Sequence, residues 1–151
     1  MESAKVPREI LLIGRTDIVD FPDLQLFNVK AKIDTGANRS AMHCSDIKLL
    51  QKEGMQILRF HVPLADSDDH IMHEVKDFFT KKIKSSSGHV EERFVIRTKI
   101  VLFDSIFTVS MSLTDRKEMN YPVLLGRKLL AKRFIVDVTK ENLSYNQKNE
   151  K

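Results

Sequence analysis

The sequence predicts a mostly β, barrel-like domain with one short C-terminal helix. Three observations predict it: apolar and polar residues alternate over short runs, clusters of Gly, Pro, Asp and Ser punctuate those runs, and only residues 126–132 read as convincingly helical. The first run, residues 9–13, is short, apolar and stopped by Gly14. After the turn Phe21-Pro22-Asp23, residues 24–33 alternate so that Val29, Ala31 and Ile33 share one face. Residues 40–50 form the next run, although Ser45 offers an alternative as the cap of a short helix. That run stops near Lys52-Glu53-Gly54, and residues 55–62 alternate as the return strand of a hairpin. Residues 63–74 read as a loop or insertion. A strand over 75–83 then reaches the turn Ser85-Ser86-Ser87-Gly88, and 89–103 returns as a long strand rich in Val, Ile and Phe. Asp104-Ser105 turns the chain into 106–113. Gly126 opens the helix, which turns Leu129 and Leu130 inward, and 134–138 is a closing strand.

The length of 151 residues fits one domain, assigned to 1–139, with 140–151 as a polar C-terminal tail expected to fray. With 42% hydrophobic and 30% charged residues the composition is that of a soluble globular chain. No apolar run approaches the roughly 18 residues that a membrane helix requires. Residues 1–9 mix Glu2, Lys5, Arg8 and Glu9 without an apolar block, so no secretory leader is expected and the expected location is cytoplasmic. The single cysteine, Cys44, excludes an intrachain disulfide and a cysteine-rich zinc cage, and reads as a buried thiol rather than a nucleophile. A net charge of +4 favours anionic partners, with basic residues gathered at 76–84 and 116–133 and an acidic patch at Asp66, Asp68 and Asp69. The plainer reading of those clusters is solvated surface. Nucleic acid is not an expected partner, because there is no Trp, only two Tyr, and no basic segment with interleaved aromatics.

The chemistry centres on Asp34-Thr35-Gly36-Ala37, which follows the alternating stretch ending at Ile33 and places a carboxylate where a strand enters a Gly-containing turn. An aspartic peptidase presents its catalytic acid in this way, while the same tripeptide is also ordinary strand-ending turn chemistry. A second segment, Pro122-Val123-Leu124-Leu125-Gly126-Arg127-Lys128-Leu129-Leu130, shifts the balance. Together with Ser40, these segments resemble the retropepsin-like aspartic peptidases. More closely, the chain resembles a bacterial family named as ATP-dependent zinc proteases and associated with RimK-type glutamate ligases. Ile13-Gly14-Arg15, Lys30 through Ala37, Ser40-Ala41, Ser87-Gly88, Glu92-Arg93, Leu113-Thr114-Asp115-Arg116, Pro122 through Arg127 and Val136-Asp137 carry that likeness in order.

The resemblance implies a retropepsin-like closed barrel, the acid-protease fold, and a peptide substrate. It implies Asp34 as catalytic carboxylate, Thr35 and Gly36 shaping the turn with the Thr35 hydroxyl bracing paired loops, and Gly126-Arg127 packed beneath. Ala37 is small enough to leave room for a substrate backbone, and the hairpin over residues 83–94 is expected to act as a flap.

The name of that family fits the residues poorly. Zinc hydrolysis needs about three protein ligands and an open position. Among five histidines only His70 and His73, near Asp68 and Asp69, resemble a metal cluster, and a solvated loop is the plainer reading. No phosphate-binding Gly-x-x-x-x-Gly-Lys-Ser/Thr segment exists, so neither metal nor nucleotide is an expected cofactor. Aspartic-peptidase chemistry needs two carboxylates sharing a proton. The chain carries one Asp-Thr-Gly, so the mechanism requires a homodimer in which Asp34 meets its symmetry mate. Lys32, two residues before Asp34, would share its strand face and favour ionised carboxylates. The association with glutamate ligases implies acidic, glutamate-rich peptides, for which Lys32, Arg93, Arg116 and Arg127 are candidate partners. A structural ion pair is an equal alternative for Arg127. Two further readings remain: a non-catalytic module that binds an acidic peptide or partner, and a metal-dependent hydrolase using His70 and His73.

Overall fold

The computed structural model describes residues 9–64, 68–84, 87–116 and 120–149. Among these residues, twelve strands and two short α-helices follow in order: β1 Leu11–Ile13, β2 Thr16–Phe21, β3 Leu26–Ile33, β4 Ser40–His43, β5 Ser45–Lys52, β6 Met55–Pro63, β7 His70–Val75, β8 Phe78–Lys84, β9 Val90–Leu102, β10 Ser105–Thr114, β11 Val123–Leu125, α1 Arg127–Leu130, β12 Phe134–Val136 and α2 Leu143–Asn149.

The mostly β expectation holds. Strands run in the order β10-β4-β11-β3-β2-β9, and pairing of β9 with β10 closes them into a six-stranded barrel. Closure removes the unpaired edges that an open sheet would leave. The barrel interior is filled by alternate residues such as Ala31 and Ile33 on β3, Ile96 and Ile100 on β9, Met111 and Leu113 on β10, and Leu125 on β11, all nearly inaccessible to solvent. β9 is long enough to pair with β10 through residues 95–102 and with β8 through 90–96. The β8–β9 hairpin therefore projects beyond the barrel wall. A separate antiparallel sheet, β5-β6-β7, packs through Leu58, Phe60 and Val62, and β1 pairs in parallel with β12.

Several elements depart from the sequence expectation. β2 was not anticipated, because its inward positions are Asp17, Val19 and Phe21, and a carboxylate at the first of them breaks the apolar alternation. Residues 63–74 are not simply a loop: β7 pairs with β6 in the register Phe60↔His73 and Val62↔Ile71. The 40–50 run is two strands, since the chain leaves the barrel at buried Cys44 to start β5, and Ser45 begins a strand rather than capping a helix. α1 is only one turn long, ended by extended backbone at Ala131.

The expected frayed tail instead contains α2. Its first turn is held by Asp17 of β2, whose carboxylate accepts from the backbone N–H groups of Ser144 (3.0 Å) and Tyr145 (3.1 Å). Ser144 returns a bond, its hydroxyl accepting from the Phe103 N–H at 2.8 Å. The two bonds to Asp17 satisfy helix-end donors that would otherwise be orphaned. No helix among the described residues is long and apolar enough to cross a membrane.

Candidate active site

β3 ends at Ile33, and Asp34 opens the turn that follows. The turn is tied to the strands beside it: the Asp34 N–H donates to Leu125 O at 2.9 Å, and the Ala37 N–H to Asp34 O at 3.2 Å. The Asp34 carboxylate accepts from the Gly36 N–H at 3.0 Å, an Asx-type contact that fixes the side chain on its own turn.

α1 sits directly behind. The N–H groups of Arg127 and Lys128 donate to the carbonyls of Ala37 (2.8 Å) and Asn38 (2.9 Å), and the Gly126 N–H donates to the buried Ser40 Oγ at 3.0 Å. Gly126 is required by space rather than by conformation. A Cβ there would lie 2.9 Å from both Ala37 O and Arg39 O, closer than non-bonded atoms approach. This accounts for the coupling between two motifs separated by about ninety residues, since one glycine lets α1 touch the backbone of the Asp34 turn.

Asp34 opens into a cleft of about 450 Å³ on the outer face of the barrel. Its floor includes Ala41, Ser112 and Leu124, which align across β10, β4 and β11. The wall formed by the β8–β9 hairpin contributes Lys81, Lys82, Ile83 and Arg93, while Ala37, Asn38, Arg39, Thr114 and Arg116 complete the lining. The hairpin expected as a flap thus borders the cleft, although Ser85 and Ser86 at its tip lie outside the described residues. Among the described residues that line the cleft, Asp34 is the single acidic one, against Arg39, Lys81, Lys82, Arg93 and Arg116. Arg39 is steadied by the face of Phe79, its guanidinium carbon 5.7 Å from the ring centre.

Of the residues singled out from the sequence, Asp34, Ala37, Arg93 and Arg116 line this cleft. Thr35 and Gly36 are exposed on the turn without lining the cleft. Lys32 does not line it either: it is exposed on β3, paired in register with Thr16 and Leu124, and the β alternation that would have aligned it with Asp34 stops at Ile33. Arg127 is likewise outside the lining and braces the turn, its Nη1 donating to Thr35 O at 3.0 Å. Arg39, Lys81 and Lys82 were not singled out from the sequence. Lys81 and Lys82 belonged to a recognised basic cluster, but only the curl of the hairpin over the barrel brings that cluster to Asp34.

His70 and His73 do not form a zinc centre. His70 and His73 are three residues apart on β7 and so point to opposite faces. His73 stacks on Phe60, with ring centres 5.6 Å apart, whereas His70 meets His61 edge-on at 6.3 Å. Among the described residues no group of three or more His, Cys, Asp or Glu side chains is gathered to hold a metal ion. Cys44 is fully buried, and that burial pushes its thiol well above the ordinary value, with the Asp115 charge adding to the shift, so its thiolate is disfavoured.

A closed barrel with an Asp-Thr-Gly turn braced by a Leu-Leu-Gly-Arg segment defines a retropepsin-like domain. The chain belongs to the RimB-like family, described as retropepsin-like aspartic endopeptidase RimB, which it matches over residues 12–147. It is 34% identical over 128 residues to a probable alpha-L-glutamate ligase of Desulfotalea psychrophila, covering 83% of this chain and 28% of that protein. A protein of the same name from Shewanella halifaxensis is 33% identical over 141 residues, covering 92% of this chain and 31% of that protein. This chain therefore spans less than a third of the curated relatives it matches. A crystal structure of a Legionella pneumophila protein of unknown function superposes with a TM-score of 0.73 at 28% identity, covering 90% of this chain and 99% of that one.

Proposed function

We propose that the chain is an aspartic-type endopeptidase that cleaves acidic, glutamate-rich peptides, with Asp34 supplying one half of a two-chain catalytic dyad. The observation that carries this reading is the position of Asp34 in a cleft whose other charged lining residues, among those described, are cations. An extended peptide fits between the hairpin and the floor strands, and its carboxylates meet Arg39, Lys81, Lys82, Arg93 and Arg116. Two Asp34 carboxylates facing across a two-fold axis would share one proton. One accepts a proton from the attacking water while the other donates to the scissile carbonyl oxygen. The names of the matched relatives agree with the substrate class, since a glutamate ligase makes glutamyl linkages of the kind such a peptidase would remove.

The test is turnover of a glutamate-rich peptide by the native chain and by Asp34→Asn. Hydrolysis should disappear in the variant while the dimer persists, and cleavage in the native chain should weaken as salt screens the cationic cleft. Equal cleavage of neutral and glutamate-rich peptides, indifferent to salt, contradicts the substrate assignment. The recurrence of this domain within much longer relatives favours a second reading, a non-catalytic module that holds an acidic peptide or partner. Under that reading no hydrolysis occurs in the native chain, and Asp34→Asn binds acidic peptide as tightly as the native chain does.

A further inference from the structure

Ser112 lies on β10 and is 2% exposed, its hydroxyl is buried without a hydrogen-bond partner, and the residue lines the Asp34 cleft. A buried unpaired hydroxyl is a cost that alanine at the same position would remove, so its presence calls for an explanation. The other orphaned side-chain atoms among the described residues, on Ser45, His73 and Thr98, line neither this cleft nor the depression next to it. Thr114, two residues further along the same strand face, also lines the cleft, with Arg93 and Arg116.

Arg93 and Arg116 form a shared wall. Behind it lies a shallower depression of about 320 Å³ lined by Glu91, Glu92 and Asp115. Arg93 Nε donates to the Glu91 carboxylate, and this contact, reinforced by the charges of Arg116 and His89, holds Glu91 below the ordinary carboxylate range. The chain thus places one of its own carboxylates on the guanidinium that borders the cleft.

We propose that Ser112, Arg93 and Arg116 form a subsite for one side-chain carboxylate of a peptide in the Asp34 cleft, and that Glu91 is the internal competitor that occupies Arg93 until that carboxylate arrives. The Ser112 hydroxyl donates to one carboxylate oxygen and the guanidinium groups to the other, giving the buried hydroxyl a partner and the arginines charge-assisted bonds. Lys81 and Lys82 on the hairpin contribute attraction without comparable geometry, since an ammonium group acts as a point charge. The proposal rests on the reading of the cleft as a peptide site and is independent of whether Asp34 catalyses hydrolysis.

Blocked tetraglutamate and tetraglutamine peptides, titrated calorimetrically into the full chain carrying Asp34→Asn, test it. Adding Ser112→Ala should leave Tm unchanged or raised, weaken tetraglutamate binding about tenfold and leave tetraglutamine binding unchanged. Glu91→Gln should tighten tetraglutamate binding severalfold. An unchanged preference for glutamate over glutamine in Ser112→Ala, or weaker tetraglutamate binding in Glu91→Gln, overturns the subsite. Absence of hydrolysis by the native chain, with discrimination between the two peptides intact, overturns the peptidase reading alone.

Discussion

Gly126 and Asp17 show how single residues set this site and its support. At Gly126 any Cβ meets the backbone carbonyls of Ala37 and Arg39, neither of which can rotate away as a side chain would. Gly126→Ala must therefore push α1 and the Asp34 turn apart. The expected result is a stability loss of about 1–3 kcal/mol, with a fall in kcat of about a hundredfold from misplacement of the carboxylate. Thermal melts and steady-state kinetics check the two parts separately. Asp17 is the inverse case, a buried carboxylate whose burial raises it above the ordinary range despite three backbone N–H donors, from Ser144, Ile18 and Tyr145. Asp17→Ala leaves the α2 donors unpaired and should cost about 1–2 kcal/mol. Hydrogen exchange should then speed selectively at residues 143–149. Of these two residues, Gly126 was legible in the sequence because it stands in a contiguous motif. Asp17 was not, since its α2 partners, Ser144 and Tyr145, lie more than 120 residues away.

At the scale of elements, legibility followed local periodicity and failed where a polar side chain took an inward position. β3, β6, β9 and β10 announce themselves by alternating apolar residues, whereas β2 and β7 carry Asp17 and His73 at positions facing the core. His73 has a testable consequence. Burial against Phe60 holds it below the ordinary imidazole value, while a backbone hydrogen bond at Leu24 opposes the shift, and its Nε2 has no partner. A group depressed in the folded state contributes stability that is present above its unfolded value, about 6.5, and lost as pH falls through its folded one. Nearby Glu74, held below the carboxylate range by hydrogen bonds from Lys52 and Arg59, adds a second loss at lower pH by the same sign. Stability should thus begin to decline as pH drops below about 6.5, and His73→Phe should remove that first step while leaving the lower one. Chemical denaturation across pH measures it.

For the whole molecule, the six-stranded barrel supplies the floor, the projecting β8–β9 hairpin supplies a wall, and the β3–β4 turn with α1 supplies the carboxylate. The cationic character of the cleft was only partly legible. Arg93 and Arg116 were anticipated, but Lys81, Lys82 and Arg39 join them through a long-range juxtaposition that no local pattern records. Lys32 is the reverse case: β3 ends at Ile33, between it and Asp34, and it is not among the residues lining the cleft. One Asp-Thr-Gly per chain makes the central claim a claim about two chains, and mixing tests it most directly. With native chain held constant and Asp34→Asn added in increasing excess under exchange conditions, mixed dimers carry one carboxylate in place of two. Hydrolysis of a glutamate-rich peptide should fall toward zero as the variant captures the native subunits. Hydrolysis that stays proportional to the native chain, whatever the excess of variant, would contradict the shared site.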